Sequence, residues 1–114
     1  MNYHNKKFRA IENTENGESS SSTIFHYQQE GRIIDGYYSG GEIEKGFLLG
    51  KVENNGNIDM VYQHINKQGE IRTGKCKSTP YFSENGTLRL KEVWQWTNGD
   101  QSNGISEIEE IILQ

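Results

Sequence analysis

A chain of 114 residues has room for one domain around a modest core; 32% of it is hydrophobic and its mean hydropathy is −0.88. Aromatic residues at 11%, interspersed with Val, Ile and Thr, exclude the composition of a disordered tail. The formal charge is −4, and Lys and Arg lie scattered among acids, which argues against nucleic acid as a partner.

The N-terminal "MNYHNKKFRA" lacks the apolar run of a secretory signal, and no segment approaches the ~20 apolar residues of a membrane span, so no membrane partner is expected. The single cysteine, Cys76, has no partner for an internal disulfide. Together these features favour a cytoplasmic location. The "NGT" at Asn85–Thr87 matches a glycosylation sequon but reads as a turn in that setting.

In chain order, short runs rich in aromatic and β-branched residues predict strands near Phe8–Ile11, Thr23–Gln28, Arg32–Ser39, Glu42–Glu53, Ile58–Asn66, Glu70–Thr79, Thr87–Thr97 and Ile105–Leu113. Between them stand "NTENGE", "QEG", "GG", "NNGN", "KQGE", "ENGT" and "NGDQSNG". "GESSSS" (Gly17–Ser22) is too short for a linker and reads as a loop. In the last stretch Ile105, Ile108, Ile111 and Ile112 also fit a helical face. The β-branched content and the lack of a good N-cap favour a strand.

Turn length sets register. In three-residue hairpin loops a type I turn is followed by a left-handed residue, a position where glycine avoids the Cβ penalty. Gln29-Glu30-Gly31, Asn54-Asn55-Gly56, Lys67-Gln68-Gly69 and Glu84-Asn85-Gly86 fit this form. The expected inner face is then a series of layers: Leu48-Tyr62-Gly74-Trp96, Gly50-Met60-Cys76-Trp94 and Val52-Ile58-Ser78-Glu92. Large residues beside glycines suit an interdigitated interior. Lys51-Asp59-Lys77 forms a charged ladder on the outer face, which also receives Phe47, Leu49, Val61 and Ile71. A Gly40-Gly41 turn pairs Asp35 with Gly46 on the inner face, and the Gln29–Gly31 loop sets Phe25 opposite Asp35. The expected fold is all-β, with residues 1–114 forming a single antiparallel up-and-down meander that closes into a barrel of about eight strands. A barrel of that size holds packed side chains or one small ligand.

The segments "FRAIENTENGE", "TIFHYQQEG", "YYSGGEIEKG", "GNIDMVYQHIN", "GEIRTGKCKSTP" and "LRLKEVWQWTNGD" together resemble a family of short bacterial proteins often labelled N-acetylglutamate synthase by automatic naming. The resemblance covers nearly the whole chain, with "STP" and "WQWTNGD" its most specific parts. At the level of fold, it implies a barrel similar to avidin-like and lipocalin-like proteins. Acetyl transfer is not expected, because acetyl-CoA binding of the usual kind needs a glycine-rich turn opening a long helix, and the sequence offers none.

Several residues carry candidate chemistry. Glu92 alternates with Leu90 and Trp94 and so shares their inward face, where a carboxylate is costly unless paired. There it serves as a ligand's polar handle, or at the barrel rim it meets solvent. Trp94 and Trp96 project to one side with Tyr62 as walls of a site or as core anchors. His64, Arg72 and Asp35 share an end layer beside Gly46. That layer reads either as a mouth for an anionic ligand, with Arg72 making a bidentate contact, or as a solvated ion cluster. His4, His26, His64 and Cys76 are dispersed, so no metal or other cofactor is expected. Cys76, set between Met60 and Trp94, has surroundings that blunt a thiol.

The leading expectation is a non-enzymatic barrel binding a small amphipathic ligand through Glu92, Trp94, Trp96, Tyr62, His64, Arg72 and Asp35. A packed structural or protein-interaction module is the second reading, with Phe47 and Leu49 outermost and homo-oligomerisation left open. An enzyme using Glu92 or the His64/Arg72 pair is the third. A cavity lined by Trp94, Trp96 and Glu92 is the feature that separates the first reading from the second.

Overall fold

Alternating aromatic and β-branched runs, cut by glycine turns, form eight strands in the computed structural model, which describes residues 1–112. They are β1 (Lys6–Asn13), β2 (Ile24–Glu30), β3 (Ile33–Gly40), β4 (Ile43–Val52), β5 (Ile58–Asn66), β6 (Ile71–Phe82), β7 (Leu88–Trp96) and β8 (Asn103–Glu110). Each pairs antiparallel with the next, and β8 pairs with β1, so the meander closes into a barrel without an unpaired edge. A register shift between Ala10 and Glu12 marks an irregularity in the closing pair. Residues 103–110 form a strand and not a helix, with Ile108 fully buried and Ile105 exposed; Ile111 and Ile112, expected in the same strand, lie beyond it. Leu113, the expected end of that strand, lies outside the described residues.

Three of the expected loops are present. Gly56, Gly69 and Gly86 have φ of 89°, 80° and 84°, and each donates its N–H to the carbonyl three residues earlier. They fix β4 to β7 in the expected register: Val52 faces Ile58, Met60 faces Cys76, Cys76 faces Trp94, and Ser78 faces Glu92. Lys51, Asp59 and Lys77 are cross-strand partners on the outside.

The β2–β4 region differs from expectation. The first turn is the two-residue Gly31-Arg32, flanked by the pair Glu30 and Ile33; the second is Gly41-Glu42, preceded by a register shift between Tyr38 and Gly40. Phe25 therefore faces Tyr38, and Asp35 faces Leu49, not Gly46. Each error moves the pairing by an odd number of residues, which turns a strand over. The two errors cancel for β2 but leave β3 reversed. Ile34 and Tyr38 point inward, and Asp35 is exposed on the outer wall.

The interior reads as stacked layers: Phe25-Tyr38-Gly46-His64-Arg72, Tyr27-Gly36-Leu48-Tyr62-Gly74-Trp96, Ile34-Gly50-Met60-Cys76-Trp94-Gly104 and Val52-Ile58-Ser78-Glu92-Ser106. One end is closed by Tyr3, which is fully buried, packs against Phe8 and Tyr27, and hydrogen-bonds through its hydroxyl to the Gly56 carbonyl. Burial pushes the Tyr3 phenol up to about 12. Leu88, Leu90 and Ile108 are also buried.

Two substitutions separate the demands on glycine. A Cβ at Gly50 would lie 2.6 Å from the Asp59 carbonyl oxygen and 2.9 Å from Met60 Cα, so backbone must move. Gly50→Ala is expected to destabilise by about 1–3 kcal/mol in urea unfolding. At Gly69 nothing lies within 4 Å of an added Cβ, but φ is 80°. Gly69→Ala is expected to cost about 1–2 kcal/mol from backbone strain alone. Unchanged urea midpoints would contradict the register at Gly50 and the turn at Gly69.

Candidate functional site

The two tryptophans of β7 stand two residues apart, so the strand's period directs both into the barrel. Their rings are 5.4 Å apart and tilted, and Trp96 meets Tyr62 at 5.9 Å and His64 at 5.8 Å, both edge-on. Together with Leu48 and Met60 they wall one cavity, which runs from Glu18 and His64 at the open end to Glu92 and Ser106 below. Within it ≈ 60 Å³ admits the centres of water-sized molecules.

Glu92 sits inside the barrel and not at its rim, with only 8% of its surface exposed. Ser78 Oγ donates to one carboxyl oxygen at 2.8 Å and Ser106 Oγ to the other at 3.2 Å. No cation among the described residues faces it, and burial holds its carboxyl above the ordinary range despite those hydroxyls. Tyr27, from β2, lines the same cavity, and its buried hydroxyl has no partner among the described residues. Burial, then the Glu92 charge, pushes this phenol well up. Cys76 is buried, and its thiol is raised by burial first and the Glu92 charge second, so it is a poor nucleophile.

The open end is polar. His64 and Arg72 are cross-strand partners as expected, next to Gly46. Between them comes the carboxylate of Glu18, from the loop joining β1 to β2. One oxygen lies 2.8 Å from His64 Nε2, and the other 2.9 Å from Arg72 Nη1. Asn66 Nδ2 donates to both at 3.2–3.3 Å. The Asn66 side chain is oriented by its own loop, since Oδ1 accepts from the backbone N–H groups of Gln68 and Glu70. Tyr38 Oη lies 2.9 Å from His64 Nδ1. A carboxylate at Nε2 favours a proton on that nitrogen; in the neutral imidazole, the form that burial favours, Nδ1 then accepts from the Tyr38 hydroxyl. Burial lowers the His64 pKa, opposed by its hydrogen bond to Glu18. The Arg72 guanidinium lies over Trp96, its carbon 3.9 Å from a ring centroid, and Trp96 Nε1 donates to the Asn16 carbonyl at 3.0 Å.

Of the residues singled out in the sequence, Glu92, Trp94, Trp96, Tyr62 and His64 line the cavity, and Arg72 joins it through Glu18 and Trp96. Asp35 does not. Its place beside His64 is taken by Tyr38, because β3 is turned over. Tyr27, Tyr38, Ser106 and Glu18 were not anticipated. Strand alternation finds the first three once β2, β3 and β8 are in register, whereas no periodicity marks Glu18 within "GESSSS". Glu92 and His64 occupy layers separated by two others, so these two do not converge on one point as an acid–base pair. Among the described residues no group of three or more His, Cys, Asp and Glu side chains is placed to hold a metal ion, and no helix is long and apolar enough to cross a membrane.

No curated protein and no solved structure gives a significant match to the chain. The model of the family described as Avidin-like protein matches residues 1–111. With the closed eight-stranded meander, that match places the chain in the avidin-like family.

Proposed function

We infer that the barrel binds a small amphipathic molecule in its interior without transforming it. The observation that carries this reading is one cavity with aromatic walls and two buried polar groups, Glu92, held by the Ser78 and Ser106 hydroxyls, and Tyr27, whose hydroxyl has no partner among the described residues. A buried hydroxyl left unpaired costs about 1–3 kcal/mol, a cost that a ligand's polar atom would remove. Trp94, Trp96 and Tyr62 offer apolar contact, while Glu92 and Tyr27 orient the guest. The wide separation of Glu92 from His64 supports binding over catalysis.

A structural or interaction module is the second reading. It is favoured by the small internal space and by the outward-facing Phe47, Leu49 and Val61, each at least half exposed.

Tryptophan fluorescence separates the two readings. A screen of small amphipathic metabolites is expected to find saturable quenching. Glu92→Gln, nearly isosteric, is expected to weaken a ligand that donates to the carboxylate by about ten- to a hundredfold. No binder, together with a Glu92→Gln protein of unaltered stability, would leave the structural module as the function.

The same variant makes a pH-dependent prediction. Because burial raises the folded-state pKa of Glu92, the native state keeps this proton at pH values where the unfolded chain has lost it. The Glu92 contribution to stability therefore declines as pH rises from the ordinary carboxylate range through the raised folded value. Glu92→Gln is expected to gain stability over wild type as pH increases across that window, with the difference levelling off above it. Parallel thermal-unfolding curves at acid and neutral pH would contradict a raised Glu92 pKa.

A further inference from the structure

His64, Asn66 and Arg72 present three convergent donors at the cavity mouth, the first two carried on β5 and the third on β6. We propose that this corner is the binding site for the carboxylate of a small organic acid, and that Glu18 is a tethered stand-in which the acid displaces. The proposal rests on the reading of the barrel as a binding chamber and adds the ligand's chemical class, an apolar or aromatic monocarboxylic acid.

Two of the three donors are held by contacts other than Glu18: the backbone of its own loop aims the Asn66 amide, and Trp96 supports the Arg72 guanidinium. Tyr38 Oη at His64 Nδ1 holds the ring so that Nε2 points to the mouth. His64 and Asn66 are almost fully buried, at 4% and 2% exposure. Such a constellation recognises a carboxylate by two in-plane oxygens and one negative charge.

Glu18 fills the corner incompletely. Arg72 meets it through Nη1 alone, and Arg72 Nε is buried with no partner among the described residues. A guanidinium usually engages a carboxylate with two parallel N–H donors. Glu18 approaches on a loop held by Asn13, Asn16 and Gly17 contacts to the β1–β8 side, which restricts the angle its carboxylate takes. A free acid has no such tether.

Space points the same way. The ≈ 60 Å³ of the cavity holds a few water molecules, whereas small-molecule pockets commonly run to about 300–1,000 Å³. A guest of useful size must displace something, and the Glu18 carboxylate stands at the mouth with 16% of its side chain exposed. Exchange of one carboxylate for another leaves the Arg72 charge neutralised and releases Glu18 to water. A neutral or cationic guest that displaced Glu18 would strand Arg72, so the exchange selects acids. As a tethered competitor Glu18 acts at a high effective concentration and weakens every acid's apparent affinity.

Full-length wild type, Glu18→Ala, Glu18→Gln and Glu18→Ala/Arg72→Gln are titrated with sodium phenylacetate, neutral phenylacetamide and sodium acetate, read by tryptophan fluorescence and thermal unfolding. Phenylacetate is expected to bind both single variants about tenfold or more tightly than wild type, with phenylacetamide gaining clearly less. The acid's advantage should disappear with Arg72→Gln, and acetate should raise the melting temperature of Glu18→Ala but not of wild type. Glu18→Gln keeps the loop's length and side-chain volume, so it decides the matter if Glu18→Ala folds poorly. Equal gains for acid and amide, an acid preference that survives Arg72→Gln, or no effect of either acid on either single variant would overturn the proposal. Acetate rescue without phenylacetate binding would uphold the carboxylate corner and count against the interior chamber. Phenylacetamide binding with no preference for the acid would do the reverse.

Discussion

Rings laid over glycines on the next strand set the shape of this barrel's interior. Tyr38 is the cross-strand partner of Gly46, Tyr62 of Gly74 and Trp94 of Gly104, and a Cβ at any of the three would collide with the ring. In each pair the side chain takes space that its neighbour leaves empty. An eight-stranded barrel is narrow enough for its side chains to fill it. Ring-over-backbone packing keeps the aromatics at the wall, with a cavity among them. The arrangement depends on register, because a one-residue slip would turn a whole strand's side chains to the opposite face. The left-handed glycines of the β4–β7 loops thus act at a distance on the cavity: they decide which ring meets which glycine.

This dependence explains what could be read in the sequence. Strands β4 to β7 are asymmetric, with Tyr62, Trp94 and Trp96 on one face and Lys51, Asp59 and Lys77 on the other. Correct turns then give correct layers. β3 contains "IIDGYY", in which Ile33-Ile34 and Tyr37-Tyr38 place the same residue types on both faces. Hydrophobic pattern cannot choose between its two orientations, so the turn assignments alone decided, and Asp35 was drawn inward in place of Tyr38. The site was legible where it depended on β7 alternation and obscure where it depended on β2, β3 or the serine-rich loop. Glu18 was hidden because its position follows from the partners waiting for it.

Two carboxylates inside or against the barrel meet opposite environments. Glu92 accepts from two hydroxyls and faces no cation among the described residues, so the field around it favours the protonated form. Glu18 receives an imidazole N–H, an amide and a guanidinium. Removing one partner from a buried polar group costs far more than the pair contributes on balance. His64 and Arg72 therefore require an acceptor at all times, whether from this chain or from elsewhere, whereas the Asn66 amide also donates to Glu70 Oε1 at 2.9 Å. Glu92 has no comparable requirement, since a proton satisfies it.

The two ends of the barrel consequently differ in how they open. Withdrawing Tyr3 would expose an aromatic ring and the apolar surfaces of Phe8 and Tyr27 beneath it, a loss of about 1.5–3 kcal/mol for the ring alone with nothing to replace it. Withdrawing Glu18 exposes a carboxylate, which water solvates well, and leaves behind donors that another carboxylate satisfies. Passage at the Tyr3 end is opposed by the hydrophobic effect, whereas passage at the Glu18 end is an exchange of like for like. On the reading of the barrel as a binding chamber, the polar mouth is its lower-cost entrance.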